Sequence, residues 1–185
     1  MLAAYNSGTI ERCTAMSGKI NVSNGVGLLV YQNNGTIQDC LTTRLGKVIG
    51  GGDLIGGVAY TNNGHIKNCF FNGSYNSDYL NNHTIAFEKG KSGSIENCYF
   101  ISGRKHTDNT VGVTGVEQAD ANSGKLTVKL NNNGNEKGSK VDPWRIDGGS
   151  TNRYPSLKKT DGRVNKNQDG SYNIGDKPHM HGDVE

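Results

Sequence analysis

The chain has 185 residues, enough for one sizeable domain with a short tail, and only 32% of them are hydrophobic. Its 27 Gly and 23 Asn favour turns and resist helices, which argues against a helical bundle, and no apolar run nears the ~18 residues that would suggest a membrane span. A net charge of +3, from 20 basic and 17 acidic residues without a basic patch carrying aromatics, does not suggest a nucleic-acid partner.

In chain order the first organising feature is a repeat. The pattern Gly-x-Ile-x-x-Cys begins at Gly8, Gly35, Gly64 and Gly93. Its isoleucines are Ile10, Ile37, Ile66 and Ile95; its cysteines are Cys13, Cys40, Cys69 and Cys98, at intervals of 27, 29 and 29 residues. Six residues before each glycine stands Leu2, Leu29, Val58 or Phe87, so each unit reads as apolar strand, tight turn, apolar strand. A period near 28 with short β-prone runs matches one rung of a parallel β-helix of the wider, right-handed type. About four rungs are expected over residues 1–110, an all-β solenoid.

Within the motif, Ile and Cys lie three residues apart, and a straight strand would point them to opposite faces. A corner is therefore expected between them. The preceding residues Asp39, Asn68 and Asn97 tolerate the left-handed conformation it needs, whereas Arg12 does not fit. Variable loops are expected at the glycine-rich stretch Gly46 to Gly57 and the Asn/Ser/Tyr-rich stretch Asn72 to Asn82.

After Thr110 no fifth cysteine copy follows. Glu117 to Leu130 reads as a short amphipathic helix or a strand pair, and Asn131 to Lys140 as a polar loop. Trp144 and the apolar residues up to Leu157 suit a C-terminal cap, placing a capping region at 111–157. Residues 158–185 are polar and read as a tail or linker. No charged and apolar leader precedes the first repeat, so the chain is expected to be part of a longer one.

The repeat resembles the bacterial GLUG-type surface repeat, roughly Gly-Gly-Leu-Val-Gly-x-Asn-x-Gly-x-Ile-x-Asn-Cys-Tyr. The best copies run from Ile55 to Phe70, with Gly57-Val58, Asn63-Gly64, Ile66 and Asn68-Cys69, and from Gly27-Leu28-Leu29-Val30 to Cys40. Tyr31 and Tyr60 stand where the family prefers Gly, and Arg12 and Asp39 where it prefers Asn. The resemblance implies a secreted or wall-attached bacterial protein, often an adhesin, in which the repeat itself is not a catalyst.

Candidate chemistry follows the same period. The four cysteines contain no Cys-x-x-Cys pair, and a column on successive rungs makes no tetrahedral cage, so a buried ladder is expected with no metal and no cofactor. Disulfides between neighbouring rungs fall within reach but would twist the ladder. No His-Glu-x-x-His occurs among His65, His83, His106, His179 and His181, and His179-Met180-His181 with Asp183 reads as a solvated tail. Parallel β-helices also carry lyases and glycosidases, but the outward column Glu11, Gln38, Lys67, Glu96 lacks neighbouring acids. The expected function is therefore a non-catalytic structural or adhesive module at the cell surface or outside the cell, with glycans or proteins as partners. A carbohydrate-active β-helix enzyme is the alternative, and a phage or host-recognition fibre the third. For weak glycan binding the candidates are Tyr75 and Tyr79 with Asp78 in the polar loop.

Overall fold

The computed structural model describes residues 1–16, 20–21, 25–43, 48–49, 54–73, 82–104, 108–138, 140, 142–147, 153–159 and 161–175, with backbone alone at 20–21, 48–49 and 82. They fall into two compact units, Met1–Gln118 and Ala119–Glu185.

In the first unit, equivalent segments of successive repeats lie side by side as parallel strands. Ala3–Asn6, Val30–Asn33, Ala59–Asn62 and Ala86–Lys89 form one sheet, with Asn6, Asn33, Asn62 and Lys89 in register. Thr9–Glu11, Thr36–Gln38, His65–Lys67 and Ser94–Glu96 form a second, whose register aligns Ile10, Ile37, Ile66 and Ile95. A third joins Thr14–Met16, Leu41–Thr43, Phe70–Asn72 and Cys98–Ile101, and a shorter one joins Val26–Gly27, Ile55–Gly56 and Asn82–His83. Strands of two to four residues are too short to be stable alone. What specifies them is the period, which brings like residues to like positions so that each apolar side chain is buried on its neighbours above and below.

The residue before each cysteine turns the chain. Arg12, Asp39, Asn68 and Asn97 have φ of 53°, 51°, 51° and 50°, the left-handed region. That single residue lets Ile and Cys, three apart, both join the core. Arg12 adopts the same conformation at a cost of about 1 kcal/mol relative to a residue suited to it.

The third sheet runs further than the cysteine count suggests. Val113–Val116 adds a fifth parallel strand, with Val113 opposite Cys98. Gly112, at φ 89°, stands where the other repeats carry Asn, Asp or Arg. A left-handed residue followed by a small apolar one meets the geometric requirement, and Gly-Val supplies it without the Asn-Cys signature.

The core of this unit gathers Leu28, Leu29, Ile37, Val58, Ile66, Phe71, Ile85 and Ile95 with Cys40, Cys69 and Cys98. Each large side chain fully buried there contributes about 1.5–3 kcal/mol. Burial thins at the first repeat: Ile10 and Cys13 are only half-buried, and Leu2, Tyr5 and Met16 are exposed. Among the described residues no strand pairs with the outer edges of Ala3–Asn6, Thr9–Glu11 or Thr14–Met16.

The second unit is built differently. Of the two readings for Glu117 to Leu130, helix is the one realised, as Gln118–Ser123 and Lys125–Asn131. The break is Gly124, at φ 90°, where a Cβ would press into the Val164 side chain. Leu126, Val128 and Leu130 are buried, and Asn131 clamps Trp144, its Oδ1 accepting from Trp144 N at 2.7 Å and its Nδ2 donating to Trp144 O at 2.9 Å. Arg145–Ile146 pairs antiparallel with Pro155–Ser156.

The stretch expected to be a polar tail carries structure: Val164–Lys166 and Tyr172–Ile174 form an antiparallel hairpin. Val164 packs with Val128 and Ile146 in a core that also receives Tyr172 and Ile174. The turn is set by Gly170 at φ 86° and by Asp169, whose carboxylate accepts from the Ser171 backbone at 2.9 Å and its hydroxyl at 2.6 Å. Three apolar residues suffice because the rest of the hairpin faces water.

Candidate functional site

The interior columns are occupied by groups that bind one another. Ile37, Ile66 and Ile95 are buried in register, with Ile10 half-buried at the end. All four cysteines are free thiols. Each donates to the carbonyl two residues earlier, just ahead of the left-handed corner: Cys13 to Glu11, Cys40 to Gln38, Cys69 to Lys67 and Cys98 to Glu96, at 3.2–3.3 Å. Cysteine fits because it is small and apolar yet still carries a donor. Burial pushes the Cys69 thiol well above its ordinary value, and a hydrogen bond with Cys69 followed by burial does the same to Cys40. Protonated thiols are poor ligands and poor nucleophiles. Among the described residues no group of three or more His, Cys, Asp or Glu is placed to hold a metal ion.

A second column lay unread in the sequence. Asn6 Nδ2 donates to Asn33 Oδ1 at 2.7 Å, and Asn33 Nδ2 to Asn62 Oδ1 at 2.8 Å. Asn62 Nδ2 ends the chain of amides on Ser94 O at 3.0 Å. Its trace in the sequence is an asparagine two residues before the motif glycine, at 6, 33 and 62. Asn33 is completely buried. Asn33→Ala is expected to destabilise the first unit by about 2–4 kcal/mol, because Asn62 Oδ1 loses its Asn33 donor, and Asn6 Nδ2 keeps only Thr36 O of its two acceptors, in a stretch that is largely buried. Asn34→Ala, at the exposed neighbouring position, is expected to cost less than about 0.5 kcal/mol in the same urea titration.

Outside, the side chains differ from repeat to repeat. Tyr31, Tyr60 and Phe87 stack with centroids 4.9 and 5.4 Å apart and planes within 15° and 5°. Their faces cover one another, which leaves mainly edges to solvent and little room for a sugar ring to stack between them. Asp108 is buried and committed: Thr84 donates to it from N and Oγ1 at 2.8 and 2.7 Å, and Thr110 N at 3.0 Å. Burial opposes its charge, but the hydrogen bonds from His83, Thr110 and Thr84 outweigh it and hold the carboxyl well below the carboxylate range. These bonds tie the strand after Thr110 to the repeat that begins near His83, a structural use of the carboxylate.

The outer face of the isoleucine sheet carries a shallow cleft of ≈ 220 Å³ lined by Thr36, His65, Lys67, Ser94 and Glu96. Ile66, whose side chain belongs to the core, completes the lining. His65 Nδ1 lies 2.7 Å from Ser94 Oγ, the separation of a base and its nucleophile. Acyl transfer also needs a group that orients the imidazole, and no carboxylate is bonded to His65 among the described residues. Glu11 and Glu96 stand three strands apart in one column, about 14 Å at ~4.8 Å per strand, beyond the ~5–9.5 Å of a glycosidase acid pair. Lys67 lies between them and Gln38 Nε2 donates to Glu11 Oε2 at 2.8 Å. The cleft offers an imidazole, an ammonium, a carboxylate and hydroxyls to a polar ligand.

Tyr75, Asp78 and Tyr79 lie outside the described residues, as do His106, His179, His181 and Asp183. No helix among the described residues is long and apolar enough to cross a membrane. Comparison of the chain with protein-family models, with curated proteins and with solved structures gives no match in any of the three.

Proposed function

We propose that the chain is a non-catalytic structural and adhesive module of a bacterial cell-surface or secreted protein, its first unit a right-handed parallel β-helix of about four rungs. The supporting observation is register: residues 27 to 29 apart in sequence pair as parallel strands in sheet after sheet, with isoleucine and asparagine columns between them. Such a stack makes a rigid spacer whose outer side chains are free to vary. The GLUG-type resemblance supplies the extracellular setting, and Tyr75, Tyr79 and Asp78 are the first choice for a weak glycan contact. A His–Ser pair serves acyl transfer rather than glycosidic cleavage, so the carbohydrate-active alternative would have to draw its base and acid from the His65, Lys67 and Glu96 side chains of the cleft, and one experiment separates the two readings. The purified chain is incubated with polygalacturonate, mucin glycans and peptidoglycan, with and without calcium. Unchanged substrate is the expected result; shortened or unsaturated products that vanish in Ser94→Ala or His65→Ala would overturn the proposal.

A further inference from the structure

The second unit holds a pocket of ≈ 360 Å³ between the loop after the Lys125–Asn131 helix and the Val164–Lys166 strand. Lys137, Lys140 and Lys166 line it together with Val128 and Val164, which are almost fully buried. Asn165 and Asn167 also line it, the Asn167 Nδ2 donating to Ser171 Oγ at 2.9 Å. Its one acid, Glu136, is already engaged: Lys129 Nζ lies 3.0 Å from the carboxylate, Lys125 and Lys166 lie at 3.9 Å, and the Tyr172 hydroxyl at 3.5 Å. The Lys129 hydrogen bond holds the Glu136 carboxyl below its usual value, so it stays ionised and occupied. Asp120 takes Lys125 at 3.0 Å. Five lysines thus face two carboxylates, and among the described residues Lys137 and Lys140 make no ion pair.

The Lys140 backbone is held by the Asn132 side chain. Asn132 Oδ1 accepts from Lys140 N at 2.9 Å, its Nδ2 donates to Lys140 O at 3.0 Å and to Val128 O at 2.9 Å. Gly138 lies so close to Asn132 that a Cβ there would collide with its side chain. Lys166 is steadied over the Tyr172 ring, 5.7 Å from its centroid. The Lys140 backbone and the Lys166 side chain are therefore held before a ligand arrives, which lowers the ordering cost of binding.

We infer that this pocket binds an acidic sugar, a uronic-type mono- or disaccharide unit. Its carboxylate would meet Lys137 and Lys140, and its hydroxyls the polar atoms of Asn165 and Asn167. The volume lies at the small end of ligand pockets, suited to one or two sugar rings. Ammonium groups attract carboxylate and phosphate alike, and the room for a ring beside them is what favours a carboxylate carried on a sugar.

The inference does not depend on how the first unit works, and the test keeps the two apart. Digalacturonate is titrated into the full chain by calorimetry and by NMR of the Val128 and Val164 methyl groups, with neutral digalactose and sodium acetate in parallel. Digalacturonate alone is expected to bind and to shift those methyls, with affinity falling at least about tenfold between low and high salt. The double variant Lys137→Glu, Lys140→Glu, checked for an unchanged circular dichroism spectrum, is expected to lose binding at least tenfold, while Lys67→Glu in the first unit keeps it. Absent binding, equal binding of digalactose or acetate, loss through Lys67→Glu, or retention in the double variant each overturns the inference. If the charge reversals disturb the fold, Asn165→Ala takes their place, with a loss of about threefold or more expected and an unchanged affinity counting against the site.

Discussion

Gly64→Ala is expected to destabilise the first unit by about 3–5 kcal/mol, enough to remove most of the stability of a domain this size, while Gly8→Ala changes it by less than about 0.5 kcal/mol. Both glycines open the same motif. A Cβ on Gly64 would stand far inside the van der Waals contact distance of the Gly35 carbonyl oxygen, which itself accepts from His65 N at 2.8 Å. Both partners are backbone in a paired stretch, so neither moves without breaking the hydrogen bonds between repeats. A Cβ on Gly35 would meet the Gly8 carbonyl oxygen in the same way, but one on Gly8 would meet nothing within 4 Å. Urea unfolding followed by circular dichroism checks the pair. Equal midpoints for the two variants would mean that the motif glycine is kept for turn conformation alone and that the backbones do not approach this closely.

That contrast also shows what could be read in the sequence. A column formed by one residue per repeat leaves a period in the sequence, so the isoleucines, the cysteines and the left-handed residue before each cysteine were legible. The asparagine column left the same trace at 6, 33 and 62, yet a buried amide looks in sequence like any loop asparagine, and its role depends on partners about thirty residues away. Gly112-Val113 was invisible because it satisfies the corner with different residues. In the second unit nothing repeats. The hairpin at Val164–Lys166 and Tyr172–Ile174 rests on a few apolar contacts in a polar stretch, below what local composition reveals. Its pocket joins Lys137 and Lys140 to Lys166 across 26 or more residues, a proximity that only folding creates.

Cys69→Asp is expected to unfold the middle repeats at neutral pH, at a cost of about 4 kcal/mol or more. The position is fully buried, within a column of thiols and the apolar core, and the native thiol donates to Lys67 O at 3.3 Å. An aspartate would turn that donor into a second acceptor facing a carbonyl and would place a charge where no cation is packed. Because burial raises the folded-state pKa of such a carboxyl above its unfolded value, the penalty is full above the folded value and fades as pH falls toward the unfolded value near ~4, where the protonated acid can donate to Lys67 O. Cys69→Ser, which keeps a donor of similar size, is expected to cost only about 1–2 kcal/mol. Glu96→Gln, on the exposed outer column, is expected to shift the unfolding midpoint hardly at all. Thermal melts of the three variants at about pH 7 and about pH 4 separate the effects, and a Cys69→Asp protein that stays folded at neutral pH, or gains nothing on acidification, would place the cysteine column at the surface rather than in the core.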